Sequence, residues 1–528
     1  MPLHVKQSAA WPAVLERAKL MAPQAFEPPT GRAAPLRLRN LVDGVWSHGG
    51  EPLLAVSPVD AVGLAELSML DAGAAHSAVA AAADQHRDWS KEPLEQRRAI
   101  VRAALDRLVE ARDDLALLLA WEIGKPWRLA TADVDRCLDG VRWYLDNVDE
   151  MLATDSEGRP FERGPLPGPV SNIASWNYPM SVLVHAELVQ ALAGNAVVAK
   201  APTQGGAVTL TVAHALMAEA GVPVTLVSGS GARLSQALVS STDVGAVAFV
   251  GGRTNGAEVA ASLVDTGTRH MLEQEGLNAW GIWDFSDWDA LQPLLRKGFE
   301  YAKQRCTAYP RFVVQRRLVD RFLAVYLPVL ADLRFGHPLA VESDDDDLPE
   351  LDFGPVISSA KATELAEQVD EALRHGAVPL YRGDVAAGRY VPGQDTAAYV
   401  APAALLAPPG ISRLMHAEPF GPIDTVVVVD TEAELLAQMN ASNGALVASI
   451  ACDDMTLANR LAEHVNAFKV GINAPRSRGD RDEPFGGNGA SWKGAFVGGR
   501  HLVHAVTEGP EDERLYGNFP DYSRTPRP

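Results

Sequence analysis

The chain has 528 residues, 47% of them apolar and 22% charged, and a net charge of −20 at neutral pH. That length outgrows the roughly 250–300 residues one hydrophobic core supports, so two or three domains are expected. The acidic balance argues against a nucleic-acid partner, which would need clustered positive charge to meet phosphates. Three scattered cysteines, Cys137, Cys306 and Cys452, offer no disulfide pairing and no zinc spacing. A reducing cytoplasm is therefore the expected compartment, and no metal site is expected. The first twenty residues lack an apolar core with a cleavage site, and runs such as 115–121 are too short to cross a bilayer. The chain reads as soluble, with no membrane partner.

In chain order, residues 1–37 stand apart as an N-terminal extension. Apolar residues three and four apart predict long helices over 73–90 and 95–125. A Gly- and Pro-rich stretch at 157–170 marks a change of pattern. Short apolar strands then alternate with helices: 195–200 before a helix near 205–220, 224–229 before 231–240, and 246–251 before 255–265. Such alternation predicts a parallel sheet with helices on both faces. A second α/β block follows, with strands at 279–285, 311–315, 423–429 and 445–451 and helices at 287–303 and 317–332. The two blocks join near residue 272. The acidic run 342–352 reads as a solvated loop rather than a cation cage, and 508–528 as an irregular C-terminal tail.

Two glycine-bearing turns follow predicted strands. "VSGSGARL" (227–234) lacks the third glycine of the dinucleotide fingerprint, and a plain strand-to-helix turn explains it equally well. "FVGGRTNG" (249–256) sets Gly251, Gly252 and Gly256 between a strand and a helix. Backbone N–H groups there suit a pyrophosphate, although a tight turn alone also calls for glycine. In "KQRCTAYPRFVV" (303–314), Cys306 taken alone is by default a packing residue, because free cysteine is usually buried.

Several motifs, however, fall in one order and together resemble the aldehyde dehydrogenase superfamily. They are "WEIGKP" (121–126), "ASWNYP" (174–179), "VVAKAPTQ" (197–204), "FVGGRTNG", "MLEQEGLNA" (271–279), "QRCTA" (304–308), "EPFGPI" (418–423) and "EPFGG" (483–487). The resemblance runs from about residue 40 to 507, and "KAPTQG" is similar to a segment of the non-phosphorylating glyceraldehyde-3-phosphate dehydrogenases. It implies an α/β fold with two Rossmann-type parallel-sheet domains and a small oligomerisation hairpin. Residues 38–147 and 171–272 would form the dinucleotide-binding domain, 148–170 with part of 495–528 the hairpin, and 273–494 the catalytic domain. A homodimer or homotetramer is implied.

The resemblance also assigns chemistry. Cys306 would be the nucleophile, forming a thiohemiacetal and then a thioester, with Asn177 and the Cys306 N–H holding the oxyanion. Glu273, 33 residues upstream, would be the general base that activates water against the thioester. Trp176, Lys200, Thr203, Gly251, Gly252, Glu418 and Phe420 would contact the cofactor, NADP or NAD. Threonine at 203, where many NAD-preferring members carry a glutamate, permits a 2′-phosphate. Arg305, Arg478 and Tyr309 are candidate substrate contacts, and arginine suits an aldehyde bearing phosphate or carboxylate. Arg476, Arg478 and Arg481 could equally pair with Asp480, Asp482 and Glu483.

Several residues depart from the family pattern. Ser175 replaces proline, Gln274 and Glu275 replace Leu-Gly, and Lys303 replaces the glycine before Gln304. Glu275 adds a charge expected to act on Glu273 or Cys306. Two other readings remain open from the sequence: an acyl-transferring or reductive relative using the same cysteine, and a non-catalytic binding protein of this fold.

Overall fold

The computed structural model describes residues 2–27, 35–264, 266–442, 444–476 and 480–519. Its N-terminal segment is docked rather than trailing. The helix Trp11–Met21 buries Trp11, Val14 and Ala18, and Trp121 Nε1 donates to the Ala9 carbonyl at 2.7 Å. Ahead of it, His4–Val5 pairs antiparallel with Ala340–Val341.

The helix expected over 73–90 spans Ala72–Trp89, its first turn capped by the Asp71 side chain. The single helix expected over 95–125 is corrected to two, Leu94–Glu110 and Arg112–Ile123, broken at Ala111. Asp113 and Asp114 fall in the first turn of the second, where carboxylates suit the exposed N–H groups. That helix ends at Gly124, which is left-handed (φ 68°) and lies so close to Pro355 that a Cβ would come within 2.5 Å. The 26-residue helix Trp127–Leu152 follows.

The first large sheet is built on five parallel strands, Val170–Ile173, Val197–Ala201, Val224–Ser228, Ala246–Val250 and Arg269–Glu273. Several are continuous buried runs, as expected for strands covered on both faces. Their spatial order is third, second, first, fourth, fifth, so the winding reverses between Val170–Ile173 and Ala246–Val250. Crevices at such reversals lie outside the carboxyl ends of the strands. The second sheet has seven strands, in the order Val378–Arg382, Ala403–Leu406, Ile423–Val429, Arg311–Gln315, Ala279–Ile282, Val447–Ala451 and Lys469–Ile472. All its neighbours are parallel except the first pair.

Only residues 274–278 separate the last parallel strand of the first sheet from the first strand of the second. No helix intervenes, so the chain leaves one sheet at a carboxyl end and enters the other at an amino end. The carboxyl ends of sheet one therefore face the amino ends of sheet two. That junction gathers the segments 174–177 and 251–252 from the first sheet with 304–310 and 418–422 from the second.

The C-terminal region corrects the expected irregular tail over its described part. Thr507–Glu508 pairs with Gly164–Pro165, and Gly517–Asn518 pairs with Trp492–Ala495 at the edge of the first sheet. Burial of one ion pair explains the order. Arg163, fully buried, meets Glu513 at 2.6 Å and donates to Thr507 Oγ1 at 2.7 Å. The hairpin expected over 148–170 is correspondingly small, because helix continues to Leu152 and Thr154 then bridges to Pro160. Among the described residues, no helix is long and apolar enough to cross a membrane. Glu513→Ala strands a buried guanidinium and is expected to cost about 3–5 kcal/mol, lowering the thermal midpoint, whereas Asp512→Ala at an exposed neighbour leaves it unchanged.

Candidate active site

The Cys306 segment enters through an unusual backbone. After the helix Trp288–Gly298, shorter than the 287–303 expected, Tyr301, Ala302 and Lys303 all adopt left-handed φ values of 59°, 52° and 58°. Each non-glycine residue there costs about 1–2 kcal/mol, so neighbouring contacts must hold the run in place. Gln304 is buried; its amide donates to the Tyr301 and Pro355 carbonyls and accepts from the Ile357 N–H at 2.9 Å. Asn278 Nδ2 donates to the Cys306 and Ala308 carbonyls, each at 2.7 Å. Cys306 is half-buried against the main apolar cluster.

Asn177 reaches this loop from the first sheet. Its Nδ2 donates to the Gln304 carbonyl at 3.0 Å, and its Oδ1 accepts from Ser175 Oγ. The serine that replaces the family proline thus fixes which way the amide points. One of the two Nδ2 protons remains to be directed elsewhere.

Glu273 ends its strand, with its backbone opposite Val250 and Trp492. Its side chain lines a cavity of about 70 Å³ with Tyr144, Val182, His185, Gln190, Trp492 and others. His185 and Tyr144 were not singled out in the sequence, though Gly140 carried a signal. A glycine inside a helix costs about 1 kcal/mol and implies a close approach. A Cβ at Gly140 would lie 2.6 Å from the His185 ring. The Tyr144 ring packs beside that imidazole at 5.6 Å, and its hydroxyl donates to the Gly499 carbonyl.

Around the winding reversal, Trp176 packs edge-on against Phe420 at 5.9 Å and Tyr301 at 6.3 Å. Glu418 is buried with both carboxylate oxygens lacking a hydrogen-bond partner. Burial first, then the Glu275 charge, push its carboxyl well above the usual range, against Lys361 and the Gly276 N–H, which approaches it without the geometry of a full hydrogen bond. Glu275 also lies 3.5 Å from Arg253. Its charge therefore falls on Glu418 and Arg253. Lys200 is buried, donates to the Ala201 carbonyl at 3.1 Å, and has its ammonium pushed down to about 8 by burial. Thr203 is half-buried in the following turn. Gly252 begins the helix Arg253–Leu263, and a Cβ there would meet nothing within 4 Å. The Gly251 N–H is already bonded to the Glu273 carbonyl. An orphaned buried carboxylate suited to a diol, an open helix start at Gly252 and a buried cation at Lys200 fit a nicotinamide dinucleotide.

The substrate contacts fare differently. The Arg305 guanidinium donates to the Lys297 and Gly298 carbonyls at the end of a helix and lies 3.7 Å from Glu300. Unpaired carbonyls at a helix end attract a cation, and this one is within reach. Tyr309 is also engaged within the protein. It is buried, and its hydroxyl accepts from Ser449 Oγ and the Arg476 N–H, linking two loops. Arg478 lies outside the described residues. Arg476 pairs with Glu483 at 2.6 Å, as the structural alternative held, whereas Arg481 turns to Asp139.

The "WEIGKP" motif supports the site from behind. Lys125 pairs with Asp133 at 2.8 Å and sits 3.8 Å from the centre of the Tyr178 ring. Glu122 accepts from the Val208 and Thr209 N–H groups at a helix start.

These elements define an aldehyde dehydrogenase. The chain belongs to the aldehyde dehydrogenase family, whose model matches residues 46–509, and is an NAD(P)-dependent oxidoreductase that converts an aldehyde to an acid. It is 25% identical over 503 residues to the 3,6-anhydro-alpha-L-galactose dehydrogenase of Vibrio sp. (strain EJY3), covering 92% of this chain and 99% of the relative. It is 28% identical over 464 residues to the alpha-ketoglutarate semialdehyde dehydrogenase of Haloferax volcanii, covering 85% and 93%. Among solved structures, the NADP-dependent glyceraldehyde-3-phosphate dehydrogenase of Bacillus halodurans C-125, complexed with NADP, superposes with a TM-score of 0.78 at 27% identity, covering 89% and 97%.

Two outcomes follow from this geometry. Asn177→Ala is expected to lower kcat by about 10²–10³-fold, and Ser175→Ala by roughly tenfold, the worth of one orienting hydrogen bond. Steady-state kinetics at saturating cofactor checks both. Lys200 is cationic below about 8 and neutral above it, so attraction for an anionic cofactor is present at lower pH and fades as pH rises. The Kd for NADP is expected to rise above that pH in the wild type and to stay flat in Lys200→Met, as measured by nucleotide titration.

Proposed function

We propose that the aldehyde is oxidised through covalent chemistry at Cys306, with Asn177 stabilising the oxyanion and Glu273 activating water. The observation that carries this reading is the Asn177 Nδ2 to Gln304 carbonyl bond, which ties an amide of one sheet to the loop bearing the cysteine of the other. The Cys306 thiolate forms a C–S bond to the aldehyde carbon, and charge develops on the former carbonyl oxygen. The second Asn177 amide proton and the Cys306 N–H meet that charge. A bound nicotinamide would be held by Trp176, Lys200, Thr203, Gly251, Gly252, Glu418 and Phe420, and would accept the hydride that must leave the former aldehyde carbon for the thioester to form. Glu273 then takes a proton from water, hydroxide equivalent adds to the thioester carbon, and the C–S bond breaks to release acid and thiolate.

NADP is the favoured cofactor in this reading, because no carboxylate stands at Thr203 to repel a 2′-phosphate. We assign a polar aldehyde carrying a carboxylate or phosphate. The Haloferax relative is named for a semialdehyde of this kind. Arg478, by resemblance, would meet the anion. A homodimer or homotetramer in the cytoplasm completes the assignment, and the Lys469–Ile472 strand at a sheet edge offers pairing groups to a second copy.

The test combines variants with a substrate panel. Cys306→Ala is expected to abolish both reduced cofactor and acid. Glu273→Gln is expected to keep a stoichiometric burst of reduced cofactor while steady turnover falls about 10²–10⁴-fold, with an acyl adduct on Cys306 seen by intact mass. Unchanged turnover in either variant rejects the corresponding role. Higher kcat/KM for neutral aldehydes than for semialdehydes and phosphorylated aldehydes rejects the anionic substrate.

A further inference from the structure

Lys303 stands where the family pattern has glycine, three residues before Cys306 and in the left-handed region at φ 58°. That conformation explains why glycine suits the position, and a lysine needs a compensating reason to occupy it. The side chain supplies one. It is 1% exposed, and its ammonium forms an ion pair with Asp424 Oδ1 at 2.8 Å. The same Nζ donates to the Tyr309 carbonyl at 3.0 Å and lies 4.1 Å from the centre of the Phe299 ring. Lysine 303 and the carbonyl it bonds are thus spaced evenly about Cys306, three residues to either side. Asp424 is fully buried at the start of Ile423–Val429, and its Oδ2 accepts from the Tyr326 hydroxyl at 2.6 Å. Next to it, the Thr425 N–H donates to the Pro310 carbonyl at 2.9 Å. The strand carrying Asp424 follows directly from Glu418 and Phe420.

We propose that Lys303, anchored by Asp424, is a positioning residue that closes the 303–309 loop around Cys306. The proposal rests on Cys306 being the nucleophile. It gives a function to a substitution that otherwise adds only backbone strain and a buried charge.

The experiment uses the full-length enzyme as Lys303→Met, Asp424→Asn and the Lys303→Met/Asp424→Asn double variant. The double variant removes both charges together and remains testable if the single variants fail to fold. Four quantities are read: thermal midpoint, Kd for NADP, kcat per folded site, and the rate at which iodoacetamide alkylates Cys306, followed on its peptide. In the double variant kcat and the alkylation rate are each expected to fall about tenfold or more while Kd for NADP stays within about twofold. The thermal midpoint is expected to drop in the single variants and to recover in the double one. Recovery of kcat together with the midpoint overturns the proposal, because the pair is then only structural. Weakened NADP binding alongside lost kcat also overturns it, because the defect is then general. Cys306→Ala run in parallel separates the two readings: turnover in that variant removes the nucleophile assignment, while the alkylation rates still report the loop.

Discussion

The amide of Asn278 makes four hydrogen bonds, and the meeting of the two sheets depends on them. Its Nδ2 donates to the Cys306 and Ala308 carbonyls, and its Oδ1 accepts from the Leu446 and Val447 N–H groups. All of this amide's donors and acceptors are used, and the residue is completely buried. An unmet bond at such a place would cost the full desolvation of a polar group, so the register of three chain segments is locked together. Asn278 is also the last residue of the short crossing from Glu273 to the second sheet. The same five residues therefore set where the carboxyl end of one sheet stands and where the cysteine loop of the other begins.

From that junction follows a site assembled from strand ends of opposite polarity. The first sheet contributes Asn177 and Gly252 just beyond its carboxyl ends, and Glu273 at one of them. The second contributes Cys306, Glu418 and Phe420 just before its amino ends. Neither sheet alone carries all the residues of the proposed site. The arrangement also concentrates like charge, since Glu273 and Glu275 both raise the Glu418 carboxyl. Arg253 and Lys361 offset part of that repulsion.

Holding this geometry is costly in local stability. Three successive left-handed residues, the buried Lys125–Asp133 and Lys303–Asp424 pairs and the orphaned Glu418 are all less favourable than apolar packing would be. Strain and uncompensated polarity gather where function requires fixed geometry, and the surrounding strands and helices supply the difference.

Much of the architecture was legible in order along the chain. Buried apolar runs such as "VVAKA" and "VTLVS" identify parallel strands because a strand covered on both faces must be apolar at every position. Cys306, Asn177 and Glu273, the residues of the proposed chemistry, were singled out through motifs, because each sits in a turn or strand end whose local sequence is distinctive. The partners of Arg305 and Tyr309 were not legible, because adjacency in sequence says nothing about side-chain direction. One turns back to a helix end and the other inward to Ser449 and Arg476. His185 and Asn278 went unnoticed because each matters only through segments far away in the chain.

The sequence by itself therefore determined the two α/β blocks, the ordered motifs and the residue types able to do this chemistry, since periodicity and local turn chemistry act over a few residues. Only the tertiary structure decided which side chains share the Glu273 cavity, that Ser175 orients Asn177, and that Lys303 reaches Asp424. Those contacts join residues brought together by the crossing between two sheets, and no local pattern encodes a direction in space.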